Sequence, residues 1–152
     1  MKLKALIAAS LLLSPLACFA STANITEVNP YARATPPNAP TSAVFTEIVN
    51  SGITDRVIVG ASTPAAGKAE LHEVIKSGDL MEMRHIQKLT IPANGKLTLK
   101  PGSFHIMLFD LKKDMQPGSD IKVTLTFANG DKQTFTAPIK KVMSGMKMSH
   151  KM

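Results

Sequence analysis

Tryptophan is absent, tyrosine occurs once and aromatic residues make up only 5% of the 152 positions. That is too few for a surface on which successive bases of single-stranded nucleic acid stack. Acidic residues are outnumbered, 11 against 18 lysines and arginines, giving a formal charge of +7. Without aromatic support this basicity does not make a nucleic-acid interface. The single cysteine, Cys18, falls in a segment built like a secretory signal peptide: Lys2 and Lys4, the apolar run Ala5–Leu13, then the small-residue exit Cys18-Phe19-Ala20. Cleavage after Ala20 leaves neither thiol nor disulfide in the mature chain. Thiol nucleophiles, thiolate zinc sites and Cys-ligated blue-copper centres are thereby excluded. An exported chain meets an oxidising compartment, where exposed thiols are a liability. Cys18 also invites a lipid-acceptor reading, which Leu16 disfavours by standing one place too close to it. No apolar run reaches the ~20 residues of a membrane-spanning helix, so stable membrane insertion is not expected.

The residues that remain describe one β domain. Apolar residues are 44% of the chain, enough for an ordinary core. Alternating or short apolar runs predict strands over Thr41–Val49, Arg56–Val59, Ala69–Ile75, Leu80–Ile86, Lys96–Leu99, Phe104–Leu111, Ile121–Phe127 and Gln133–Ala137. Turn signals such as Ser77-Gly78, Asn94-Gly95, Pro101-Gly102 and Pro117-Gly118 separate them at intervals typical of antiparallel sandwiches. Asn129-Gly130 predicts a two-residue hairpin. Tyr31–Pro40, with three prolines, reads as irregular. The expected organisation is a signal peptide at 1–20, a domain at 21–139 and a flexible Met-, His- and Lys-rich tail at 140–152.

Methionine is abundant, with nine residues, and its placement carries chemistry. A turn at Ser77-Gly78 pairs Lys76 with Asp79 and, counting outward, His72 with Met83; paired residues project from one face. His105 and Met107, two apart in a strand, also share a face. Imidazole with thioether suits Cu(I), a soft ion, whereas zinc would make poor use of two methionines. Taken singly each residue is better explained by packing or solvation, but their conjunction is not required by a core. Met81 and His85 lie on the same face as Met83, as alternate donors or, more simply, with Met81 packed and His85 solvated. Glu70 and Glu73 are placed on a solvated face, with Glu70 opposite His85 in this register.

The spacing His72…Met83…His105-Ile106-Met107, with Leu71-His72-Glu73, Met81-Glu82-Met83-Arg84, Leu99-Lys100-Pro101-Gly102 and His105-Ile106-Met107-Leu108 around it, resembles the periplasmic copper chaperone family PCuAC, over roughly Ile25 to Ile139. The resemblance implies a cupredoxin-like Greek-key β-barrel or sandwich, monomeric, that binds one Cu(I) through His72, Met83, His105 and Met107. It also implies delivery of that ion to the apo copper subunit of a cytochrome c oxidase, at its CuA or a similar site, beside a Sco-type protein. Val74 departs from the pattern, since relatives often carry a second methionine there. Four donors would fill a tetrahedral site and leave no open position for a substrate, so no enzymatic activity is expected. The tail donors Met143, Met146, Met148, His150 and Met152 form a candidate second copper site, and its lysines would suit an acidic partner. A copper-sequestering protein for tolerance or storage is the competing function.

Overall fold

The computed structural model describes residues 24–141. The signal segment at 1–20, and Met143, Met146, Met148, His150 and Met152 of the tail, lie outside the described residues. Ten strands follow in order: β1 (Ile25–Arg33), β2 (Thr41–Asn50), β3 (Arg56–Ser62), β4 (Ala66–Ser77), β5 (Leu80–His85), β6 (Leu89–Ile91), β7 (Gly95–Leu99), β8 (His105–Leu111), β9 (Asp120–Phe127) and β10 (Lys132–Lys140). Among the described residues no helix is long and apolar enough to cross a membrane.

The strands hydrogen-bond in the order β5-β4-β8-β2-β1-β10-β9-β3-β6, with β7 paired to the far half of β2. The path is open rather than closed into a barrel, and it folds over a single core as a cupredoxin-like sandwich. Period-two patterning explains why. In β9, Ile121, Val123, Leu125 and Phe127 are buried, and in β10, Phe135, Ala137 and Ile139 are buried between exposed neighbours. These meet Val44, Ile48, Leu71, Ile106 and Leu108 from the other half in one cluster. Each of these side chains larger than alanine contributes about 1.5–3 kcal/mol of transfer free energy. The core therefore uses Leu71, Ile106 and Leu108, and period two turns His72, His105 and Met107 to the opposite face of the same strands.

Two strands escape the sequence pattern. β1 contains Pro30 and a bulge between Val28 and Tyr31, with Asn29 at φ 50°, so its alternation is broken in mid-strand. It covers the first part of the stretch expected to be irregular. Parallel pairing of Ala32 with Ile139 and Arg33 with Lys140 then joins the first strand to the last. β6 is three residues long and offers too short a run to register.

Both hairpin expectations need correction. The β4–β5 turn is Gly78-Asp79, with Ser77 opposite Leu80, so His72 pairs with His85 and Met83 with Val74. Gly78 takes φ 61°, as the first central position of a two-residue II′ turn requires. Because each partner moves by two residues, every side chain keeps its expected face. The β9–β10 connection is a three-residue loop, Ala128-Asn129-Gly130: the Phe127 amide donates to the Asp131 carbonyl at 2.8 Å, and Lys132 pairs with Thr126. Gly130 at φ 89° supplies the left-handed residue that such a loop needs.

Candidate metal centre

Two ladders lay three imidazoles side by side. β4 pairs with β5 through His72 and His85, and with β8 through His72 and His105. Ring centroids of His72 and His105 lie 5.8 Å apart. The row continues onto Phe45 of β2, 6.2 Å from His105, and Tyr31 of β1, 5.2 Å from Phe45. Met83, His105 and Met107, with Phe45, Val74 and Arg33, line one cavity of about 120 Å³. The structure thus gathers Met83, His105 and Met107 around one space and sets His72 against His105. The group sits on an outward sheet face toward the β5 edge, not at the end of a barrel.

Hydrogen bonding fixes which nitrogen of each ring is free. His72 Nε2 lies 2.8 Å from Glu70 Oε2, and an ionised carboxylate only accepts. Nε2 therefore carries a proton, and in the neutral ring Nδ1 keeps its lone pair. His105 Nδ1 lies 3.1 Å from the Ser103 carbonyl oxygen, so there Nδ1 donates and Nε2 is the free base. Both free nitrogens, His72 Nδ1 and His105 Nε2, are buried and have no hydrogen-bond partner. Unpaired buried acceptors are costly, and a metal ion would satisfy both.

At His105 the electrostatics favour the neutral ring. Burial, aided by nearby His72 and Arg33 and opposed by the bond to Ser103, lowers the pKa of His105 below its ordinary 6.5. The bond from His72, then the Lys68 ammonium at 2.9 Å, holds the Glu70 carboxyl at about 2. Among the described residues no group of three His, Cys, Asp or Glu side chains is placed to hold a metal.

Several placements differ from the sequence expectation. Glu70 stands opposite Met107 rather than His85, and it holds His72. The signal was present, since residues two apart on a strand share a face. Glu73 lies on the other face and pairs with Arg84. Met81 is 61% exposed instead of packed, whereas His85 is exposed as expected. The Ser103 carbonyl was invisible, because a backbone acceptor leaves no residue-type signature. Glu70→Ala should release His72 to exchange tautomers, visible in its imidazole ¹⁵N shifts, and should weaken Cu(I) binding about tenfold.

The family model described as LpqE-like lipoprotein matches residues 25–139. A relative named as a lipoprotein, Lxx21020 of Leifsonia xyli subsp. xyli, is 35% identical over 100 residues, 65% of this chain and 60% of its own length. The chain thus spans about three-fifths of that relative. Among solved structures, the solution structure of CuI-DR1885 from Deinococcus radiodurans is 30% identical with a TM-score of 0.63, covering 83% of this chain and 86% of that one. The apo PCuAC domain from PmoF1 superposes with a TM-score of 0.65 at 24% identity, over 78% of this chain and 95% of that one. This last likeness concerns the fold alone.

Proposed function

The chain belongs to the LpqE-like family of PCuAC-type proteins, and from that premise we propose that it is an exported copper chaperone. It binds one Cu(I) through His72 Nδ1, His105 Nε2 and the thioethers of Met83 and Met107. The observation that carries the proposal is the pair of buried, unpartnered imidazole nitrogens beside a cavity lined by both methionines. Thioethers need no deprotonation and favour Cu(I) over harder ions, which suits uptake at neutral pH and selectivity against zinc. The copper-bound form of a similar protein, CuI-DR1885, supports copper as the cargo.

A carrier must also release its ion. Met83, 63% exposed on edge strand β5, is the donor that an incoming ligand from an acceptor would displace first. Around the face, Arg33 lies over Phe45, Lys68 over Phe109 and Lys140 over Tyr31, so the rim is cationic and fits an acidic partner. The apo copper subunit of a respiratory oxidase in the periplasm is the proposed acceptor, with a Sco-type protein beside it. The test is transfer: the Cu(I)-loaded protein mixed with an apo CuA domain should give up its ion and raise the acceptor's CuA absorbance. Equal release to a non-specific chelator, with none to the acceptor, would instead support storage.

The tail supplies a second proposed site, in which Met143, Met146, Met148, His150 and Met152 capture another copper. Truncation after Val142 should lower the bound copper from two ions to one, measured by titration under reducing conditions. It should also slow loading, because the tether places these donors at millimolar effective concentration near the domain. Unchanged stoichiometry and rate would make the tail a solubilising appendage.

A further inference from the structure

The geometry points to self-association: the free edge of β5 pairs antiparallel with β5 of a second copy, in a two-fold register centred on Met83. The pairing stands on the edge strand itself. Its consequence for copper, that the second copy's Met83 covers the exposed donor Met83, rests on the function proposed above.

β5 is a terminal strand of the hydrogen-bonding path, and all six of its residues, Leu80–His85, are exposed. Three of them, Leu80, Met81 and Met83, are large apolar side chains at 66%, 61% and 63% exposure. Sheet edges are ordinarily blunted by proline, lysine, a bulge or a very short strand. The strand at the other end of the path, β6, is blunted by being three residues long. β5 has no proline or lysine and pairs with β4 without a register shift, so its outer edge is a regular template.

The ladder decides which backbone groups that edge presents. The Ile86 amide donates to the Leu71 carbonyl at 2.9 Å, so Leu71 and Ile86 are a hydrogen-bonded pair. Bonded and non-bonded pairs alternate along an antiparallel ladder, which turns the N–H and C=O groups of Arg84, Glu82 and Leu80 inward to β4. Those of Met81, Met83 and His85 point outward. Two symmetric registers about the middle of the strand use these groups. Centred on Glu82, the pairing sets Glu82 directly against the second copy's Glu82, and like charges so placed repel. Centred on Met83, it sets Glu82 against the second copy's Arg84 and Arg84 against its Glu82. Arg84 already bonds Glu73 of β4, so the charges then alternate in sign across the joined strands. Charge therefore selects the second register. On the copper face the same register lays Met83 beside Met83, about 5 Å apart, and Met81 beside His85. The second copy brings a thioether to each donor set and shields Met83 until an acceptor displaces it.

The experiment follows the metal-free mature chain by sedimentation velocity from micromolar to millimolar concentration. The unaltered chain should dimerise as its concentration rises, and the amides of Met81, Met83 and His85 should gain protection from hydrogen exchange in step. Glu82→Arg alone and Arg84→Glu alone should each weaken self-association about tenfold or more, because each places two like-charge pairs across the joint. An equimolar mixture of the two variants should dimerise again, since every altered charge then meets its opposite. A chain that stays monomeric to millimolar concentration would overturn the proposal. So would single variants that associate as strongly as the unaltered chain, or a mixture that fails to recover. Protection of the same amides by an apo CuA domain, without self-association, would overturn it too and give the edge to the acceptor. Failure of the copper function is read separately, as unchanged Cu(I) affinity in His72→Ala and His105→Ala, and leaves the metal-free dimer standing.

Discussion

Replacing His105 by alanine should lower Cu(I) affinity at least about a hundredfold and destabilise the metal-free domain by about 1–3 kcal/mol. The first effect follows from the loss of a nitrogen that the fold already holds bare: Nδ1 is committed to the Ser103 carbonyl, and Nε2 has no partner. The second follows from burial, since His105 is 3% exposed and its ring packs between those of Phe45 and His72. Met83 provides the contrast. At 63% exposure its replacement by alanine should remove a copper donor and leave stability within about 0.5 kcal/mol. Chelator competition gives the affinities and thermal unfolding the stabilities. Full Cu(I) affinity in the His105→Ala protein, with the tail removed, would contradict the ligand assignment. His105 thus serves packing as well as the proposed donor set, because its ring is covered by β2 even though it faces away from the main core.

Acidification should weaken Cu(I) binding steeply. A coordinating imidazole must shed its proton, so below its own pKa each such ring lowers the apparent affinity about tenfold per pH unit, while thioethers do not titrate. His105 starts below 6.5, because its surroundings disfavour the imidazolium, and enters the competition late. The affinity should be flat above about pH 7 and fall in acid as His105 takes up its proton, at about one decade per unit below its folded pKa. Chelator competition between pH 7.5 and 4.5 would measure it, and a flat profile would show that the thioethers alone hold the ion. The metal-free protein should lose stability over the same range. Its unfolded chain protonates His105 near 6.5 and the folded one does so lower, so this contribution is complete above 6.5 and is lost as pH falls through the folded value. Glu70, held at about 2 against 4.5 when unfolded, contributes above 4.5 and is lost as pH falls toward 2.

The sequence by itself determined the class of the fold, the candidate donors as residue types and the face on which they lie. Period-two alternation in β9 and β10 states directly which side chains are buried, and the same period separates Leu71 from His72 and Ile106 from His105. Facing survives even a misplaced turn: with the bend at Gly78-Asp79 instead of Ser77-Gly78, Met83 moved two residues along and stayed on the side of His72. What the sequence left open was every relation across strands that are distant in the chain. β1 was hidden because Pro30 and the bulge after Val28 break its alternation, and its place is set by pairing with β2 and β10. Only tertiary pairing of β4 with both β5 and β8 put His85, His72 and His105 in one row, since register between strands depends on turn geometry and shared packing rather than on either strand's own residues. The free nitrogens were likewise decided in three dimensions. One depends on Glu70, whose position two residues from His72 could have been read, and the other on the carbonyl of Ser103, which any residue type would offer and only the backbone path aims at His105.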